Sequence, residues 1–515
     1  MIETSLARPL ALAGLFALAL AAPTPAQAPS PAPAAPATPQ PAPPAAPPAV
    51  PAPAPAAVPE TLQLGRFGKF PVYRPPGAPG QVAVLLAPDL AAPAAVRLAT
   101  ALTGLGTAVI GVDSAHYARE IAKAGRQCSY AAADLETLSH FVEQRLGLPD
   151  YLPPVLVGEG AASSLTYATL AQSPPNTFEG AISTGFCRVL TMKGLCPGEG
   201  LHWEEDYKGP GILLRPHALE NPWVVLDAAP LADCQAEGAA EFVPKVPGAQ
   251  ILPPATGAAG ALAARLEAAL AVVAAKRKEE TAARAARSED IRDLPVVEMP
   301  APGSGRRTLT VIVSGDGGWV GLDRRIGERL TGEQGMPVVG LNSLQYFWTS
   351  RTPDGAAADL ARLLDHYLPA WGLDSAVVLG YSQGADVVPF MVDRLPKRLR
   401  SRVKLVVLVG PDAGAAFDYN FGTYMSGRKP SPELPVAPAI ARLKGTKVLC
   451  VFGQREKRSL CRSLDPKLAF PLQLNTGHGF AHDTGVLLAS ILDAAGLKPA
   501  KGAPAPAPAK APVKP

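Results

Sequence analysis

At 515 residues the chain is too long for one ordinary hydrophobic core, so it divides into two or three domains once non-globular segments are set aside. A formal net charge of +4 is small for that size, and the only basic-rich stretch, residues 276–287, is mixed with glutamates, which excludes a dedicated nucleic-acid binder. The 58 prolines are the compositional anomaly, and they crowd toward the two ends.

Residues 6–22 are apolar and Ala/Leu-rich, too short to span a bilayer and suited to the core of a signal peptide over 1–28. Arg8 is the one basic residue there, Glu3 weakens the positive flank, and Ala19-Leu20-Ala21 and Ala26-Gln27-Ala28 offer cleavage sites. With no cysteine nearby to take a lipid, export follows, either by cleavage or with the stretch kept as an anchor. Residues 29–60 are a Pro/Ala linker that cannot bury enough apolar surface to fold; as polyproline II they would reach roughly 90 Å. Residues 498–515 read as a second disordered segment.

Between the ends the chain repeats itself at an offset of roughly 225 residues, the sign of a duplicated domain. Ala108-Val109-Ile110-Gly111-Val112-Asp113-Ser114 parallels Pro337-Val338-Val339-Gly340-Leu341-Asn342-Ser343, with Tyr117 and Tyr346 three residues on, and Ala131 to Leu135 parallels Ala356 to Leu360. Val155-Leu156-Val157-Gly158 then leads into Gly160 where the second copy has Ser382. The first copy, 61–290, therefore reads as a degenerate lobe without a nucleophile, closed by a long Ala/Glu/Lys/Arg helix over 258–287. Pro300 to Gly305 marks the joint, and 305–497 is the candidate catalytic lobe. Six cysteines in an exported chain permit disulfides; the local pairs are Cys187 with Cys196 and Cys450 with Cys461, against the alternative of buried thiols.

In the second copy, apolar runs at 309–313, 338–341, 376–379, 403–409, 448–452 and 470–474 alternate with helical segments, the pattern of a mostly parallel sheet covered on both faces. After the first run, Ser314-Gly315-Asp316-Gly317-Gly318-Trp319 is a glycine loop suited to turning backbone N–H groups inward; Asp316 or Gly317 is a candidate oxyanion donor, the alternative being a hairpin in which Asp316 caps a helix from Leu322. No Gly-Lys-Ser/Thr follows, so a phosphate loop is excluded. Gly380-Tyr381-Ser382-Gln383-Gly384, between a strand and a helix, is a nucleophile elbow that presents Ser382 and the N–H of Gln383. Only His478 and His482 follow it; His478, in the loop leaving the last strand, is the candidate base. Glu456, just past the strand ending at Gly453, is the best placed acid, ahead of Asp465 and Asp412. Asp316 and Asp386 are candidate carboxylates for a cationic substrate, and Trp319, Tyr346, Phe347 and Trp348 either wall the site or belong to the core.

The motif set Ser-Gly-Asp-Gly-Gly-Trp, Gly-Tyr-Ser-Gln-Gly-Ala-Asp-Val-Val-Pro and Gly-His-Gly-Phe, behind a degenerate first copy and a signal peptide, resembles the AcvB/VirJ family of bacterial periplasmic proteins. Where that family tends to have a double histidine this chain has His478-Gly479, and its acid loop, 454–458, carries fewer carboxylates. The resemblance implies two tandem α/β-hydrolase-like lobes in the periplasm, Ser382 as nucleophile and His478 as base. It also implies an aminoacylated phosphatidylglycerol, chiefly the lysyl form, as substrate, hydrolysed without metal or organic cofactor. Two rivals stand beside this expectation: a non-catalytic accessory that binds secretion-system components, and an esterase for a small soluble ester or a polyester.

Overall fold

The computed structural model describes residues 59–500 except 124–127, 198–199, 227–230, 232, 235, 254–260, 304, 420–433 and 481–483. The expected signal peptide, the linker up to residue 58, the tail beyond residue 500 and His482 lie outside the described residues. Among the described residues no helix is long and apolar enough to cross a membrane.

Two sheets organise the chain. The first contains β1 (Glu60–Leu64), β2 (Gly68–Tyr73), β3 (Gln81–Ala87), β4 (Thr107–Asp113), β5 (Val155–Glu159), β6 (Gly180–Thr184), β7 (Trp223–Val225) and β8 (Ala249–Ile251), in the order β1-β2-β4-β3-β5-β6-β7-β8. The second contains β9 (Val296–Met299), β10 (Thr308–Val313), β11 (Val338–Leu341), β12 (Ser375–Tyr381), β13 (Val403–Val409), β14 (Lys447–Gly453) and β15 (Phe470–Leu474), in the order β9-β11-β10-β12-β13-β14-β15. Leaving out β1, the two orders are the same. In each the leading strand, β2 or β9, pairs antiparallel and the others run parallel. This is the expected α/β arrangement: parallel strands need helical crossovers, which cover both faces and leave the strands apolar throughout.

The alternation is visible in the core. Val311, Val313, Val378, Val406 and Leu408 face one apolar cluster, while Ile312, Val377, Leu379, Leu405 and Val407 face the other. Helices that matter below are α1 (Pro93–Gly104), α2 (Ala131–Leu146), α3 (Ser163–Gln172), α4 (Ala261–Val273), α5 (Gly321–Gln334), α6 (Pro353–Ala370), α7 (Gln383–Asp393) and α8 (Thr484–Ala494). α6 begins as its sequence dictates, with Pro353 at its first position and the Thr352 hydroxyl accepting from the Gly355 N–H at 3.0 Å.

The duplication extends to side chains. Tyr117 donates to Asp134 at 2.7 Å in the first lobe, and its counterpart Tyr346 donates to Asp359 at 2.6 Å in the second; an arginine, Arg66 or Arg362, pairs with each aspartate. The boundaries differ from expectation in small ways. Glu60 already lies in β1, and Val296–Met299 is an edge strand of the second sheet, so that sheet begins before Pro300. The long closing helix breaks at Ala274 into α4 and a second helix, Ala275–Ala285. Lys498 and Ala500 are tied down, the one by Arg306 and the other by Gln334.

All six cysteines are in disulfides: Cys128–Cys196, Cys187–Cys234 and Cys450–Cys461. The last is the expected local pair, whereas Cys187 and Cys196 are not joined. After Cys187 the chain runs as a short strand, Val189–Leu190, paired with Ile212–Leu213, which carries it away. Cys196 is instead drawn to Cys128 by the bridge between Ser129 and Leu195, and Cys187 pairs beside its bridge to Gly238.

Candidate active site

At the carboxyl end of β12 the chain turns through Ser382 into α7, and Ser382 has φ +51°, a left-handed value that an L side chain rarely adopts. Such a conformation costs about 1–3 kcal/mol and persists only where its surroundings impose it. The flanking glycines show what imposes it. A Cβ on Gly384 would collide with the carbonyl oxygen of Val313, and one on Gly380 with that of Gly384. Glycine at both places lets α7 press against β10 and β12, and that contact forces the bend.

His478 sits half-exposed in the loop after β15, with Nε2 3.1 Å from Ser382 Oγ and Nδ1 in hydrogen-bond contact with Glu456 Oε1. The other oxygen of Glu456 accepts from the Gly453 N–H at 2.5 Å. The hydrogen bond to Glu456, against a smaller opposing effect of burial, raises the His478 pKa above its usual value; the charges of Glu456, Asp316 and Asp412 act in the same direction. Of the rival acids, Asp412 gives its N–H to Asp386 Oδ1 at 2.6 Å, and Asp465 accepts from the Lys467 N–H at 2.9 Å. Neither carboxylate is hydrogen-bonded to the imidazole among the described residues.

Three parts of this arrangement leave no mark on the sequence that would single them out. Gly410, φ +65°, stands where a Cβ would come within 2.9 Å of the His478 ring and 3.2 Å of Glu456, so its bareness lets base and acid meet. The Tyr381 ring stacks on His478 at 5.4 Å, and its hydroxyl donates to the His478 carbonyl at 3.0 Å. Arg462 donates to the carbonyls of Glu456 and Gln454, each at 2.8 Å, while its guanidinium lies over Phe452 at 4.7 Å. Together with the Cys450–Cys461 disulfide, that fork holds the loop carrying Glu456.

The glycine loop after β10 lies beside the nucleophile. A Cβ on Gly315 would be 3.5 Å from that of Ser382, and the loop turns back on itself through a hydrogen bond from Gly318 N–H to Gly315 O at 3.0 Å, with Asp316 and Gly317 at its centre. Asp316 lines the cleft and does not cap the next helix. Behind the loop the buried Asp323 accepts from the Gly315 N–H at 3.2 Å; burial raises its pKa well above the usual carboxylate range. Gln383 opens α7, where backbone N–H groups have no intrahelical acceptor, beside Ser382. The glycine loop and the start of α7 thus both lie beside Ser382, the placement that oxyanion donors require.

A cleft of about 590 Å³ opens over these groups. Asp316, Asp386, Asp412, Asp418 and Glu456 contribute carboxylates to it, and Arg455, Lys457 and Arg458 form a cationic rim. Asp386 is buried and accepts from the Asp412 N–H, so it braces the loop after β13. Trp319 is absent from the cleft: it is buried over Gly340 and Gly327, whose missing side chains make the space its indole fills. Tyr346 and Phe347 are likewise core residues, and Trp348 is buried against Tyr419 and Tyr151. In the first lobe Gly160 holds φ +55° at the end of β5, the bend of Ser382 without its side chain. Ser163 and Ser164, on α3, hydrogen-bond to backbone carbonyls instead.

Residues 307–498 match the family described as bacterial virulence protein (VirJ), so the likeness read from the motifs holds over the second lobe. No curated protein sequence matches the chain. Among solved structures, Est1E from Butyrivibrio proteoclasticus is similar at 12% identity over 38% of this chain and 90% of its own, with a TM-score of 0.28. A lipase-esterase related protein from Clostridium acetobutylicum is similar at 12% identity over 39% and 98%, TM-score 0.28. The thioesterase domain from the curacin biosynthetic pathway is similar at 13% over 38% and 94%, TM-score 0.26.

Proposed function

We propose that the protein is a serine ester hydrolase whose substrate is the aminoacyl ester of a phosphatidylglycerol, lysyl or alanyl, met at the periplasmic face of the inner membrane. The observation that carries the catalytic part is His478, which touches Ser382 with one ring nitrogen and Glu456 with the other. In this reading His478 takes the Ser382 proton as Oγ attacks the ester carbonyl, and the resulting oxyanion lies between the N–H of Gln383 and that of Asp316 or Gly317. The imidazolium, stabilised by Glu456, returns its proton to the departing glycerol oxygen and releases phosphatidylglycerol. Water, deprotonated by His478, then attacks the aminoacyl-serine and frees the amino acid.

The substrate class is supported by how the cleft divides its charge. An aminoacyl ester of phosphatidylglycerol carries ammonium beside the scissile carbonyl and phosphate some atoms beyond it. Carboxylates surround the serine, among them Asp316, while the cations of the rim stand on the Glu456 loop. None of Arg455, Lys457 and Arg458 is in an ion pair among the described residues. Incubation with vesicles containing lysyl- or alanyl-phosphatidylglycerol should release the free amino acid; intact lipid together with no labelling of Ser382 by a fluorophosphonate would favour the accessory reading. Lys457→Glu with Arg458→Glu should raise KM for the lipid roughly tenfold and that for a neutral aryl ester far less, because the lost attraction acts on phosphate. Equal effects on both substrates would remove the rim from the substrate site.

A further inference from the structure

The first lobe has the fold without the nucleophile, yet one of its helices is bonded to a residue that lines the second lobe's cleft. Tyr419 lines that cleft, in the segment that follows β13. Its hydroxyl shares a 2.6 Å hydrogen bond with His140 Nδ1 on α2, and its carbonyl accepts from Gln144 Nε2, one turn further along the same helix, at 3.3 Å. The ring stacks on Trp348 at 5.4 Å; Trp348 in turn donates to the Leu148 carbonyl at 2.8 Å and packs on Tyr151 at 5.3 Å. Four of these residues, His140, Gln144, Leu148 and Tyr151, belong to the first lobe. The same segment continues toward the nucleophile: the carbonyl of Asp418 accepts from Gln383 Nε2 at 3.1 Å.

We infer that the first lobe is a positioning element for the second lobe's substrate site, with His140 and Gln144 fixing Tyr419 as a wall of the cleft and, through Asp418, steadying the side chain of Gln383. The inference rests on the hydrolase reading and adds to it a role for the lobe that has no nucleophile.

The junction suits such a task. Burial lowers the His140 pKa to about 3, so the imidazole stays neutral through the physiological range and its bond to Tyr419 does not switch with pH. Glu136, one turn before His140, is pushed up to about 8, first by burial and then by the charge of Asp316, which brings α2 electrostatically into the neighbourhood of the glycine loop. A wall held by hydrogen bonds and stacked rings is more sharply placed than one held by apolar contact alone, and small misplacements of substrate are costly in rate or affinity.

The test uses the full chain with aminoacyl-phosphatidylglycerol vesicles. Tyr419→Phe deletes one oxygen and keeps the ring; His140→Leu removes the partner; His140→Asn restores an amide near the position of Nδ1. Tyr419→Phe and His140→Leu should each raise KM about tenfold with kcat within about threefold of wild type, the double variant should be no worse than either, and His140→Asn should recover most of the loss. Should His140→Leu not fold, Tyr419→Phe decides alone. An unchanged KM, additive effects, or a fall in kcat that merely follows a lower melting temperature overturns the inference while wild-type hydrolysis leaves the enzyme reading standing. Wild-type protein that cleaves nothing overturns both.

Discussion

Ser382→Ala should lower kcat on an ester substrate by about 10⁴-fold or more and leave the second lobe folded. The expectation is severe because nothing else in the cleft replaces the oxygen: Ser459 is buried, and its hydroxyl is directed to the Pro411 carbonyl. Stability gives a second, opposite-looking readout. Alanine retains the Cβ at φ +51° and so the strain, whereas Ser382→Gly removes the Cβ and should gain about 1 kcal/mol, seen as a melting temperature a few degrees higher in an inactive protein. A catalytic serine held in a strained bend predicts both results. Turnover surviving in the alanine variant would end the proposed mechanism, and a glycine variant no more stable than wild type would show that the bend is unstrained.

His478→Ala should match the serine variant, and the double variant should be no slower than either, because base and nucleophile act as a unit. The pH dependence separates base from acid. Only neutral imidazole can take the Ser382 proton, and the Glu456 hydrogen bond raises the His478 pKa, favouring the charged form. Activity should therefore rise with pH through an apparent pKa above the ordinary histidine value of about 6.5. Glu456→Gln keeps a hydrogen-bonding side chain but removes the charge. It should move that limb to lower pH and cut kcat by roughly 10³- to 10⁴-fold, since the imidazolium formed in the transition state loses its counter-ion. A profile unmoved by Glu456→Gln would point away from Glu456 as the acid.

What could be read in the sequence was what local pattern encodes. Ser382 sits in a strand, turn and helix that are contiguous, and only two histidines lie downstream of it, so geometry at the elbow needed no knowledge of distant packing. The paired tyrosines and aspartates of the duplication were legible for the same reason. Trp319 was not, because its burial depends on Gly327 and Gly340, two glycines that form a slot only when α5 packs on β11. Gly410 escaped because the need for a missing Cβ arises from loops that end forty and more residues later. The disulfides of the first lobe failed for want of topology: sequence proximity favoured Cys187 with Cys196, and a two-residue strand separated them. Tyr419 and His140 are 279 residues apart, and no periodicity relates them.

The bare bend at Gly160 also bears on how this chain can change. A Cβ placed there meets nothing within 4 Å, so a serine would fit; it would adopt the same left-handed φ and suffer the same penalty. Yet the stretch leaving β8, residues 252–260, contains no histidine, so the segment that corresponds to the His478 loop would offer a restored hydroxyl no imidazole. Each lone reversal is thus a loss before it is a gain. A serine at position 160 alone would therefore add strain without supplying a base, and chemistry at this bend would need at least two coordinated changes.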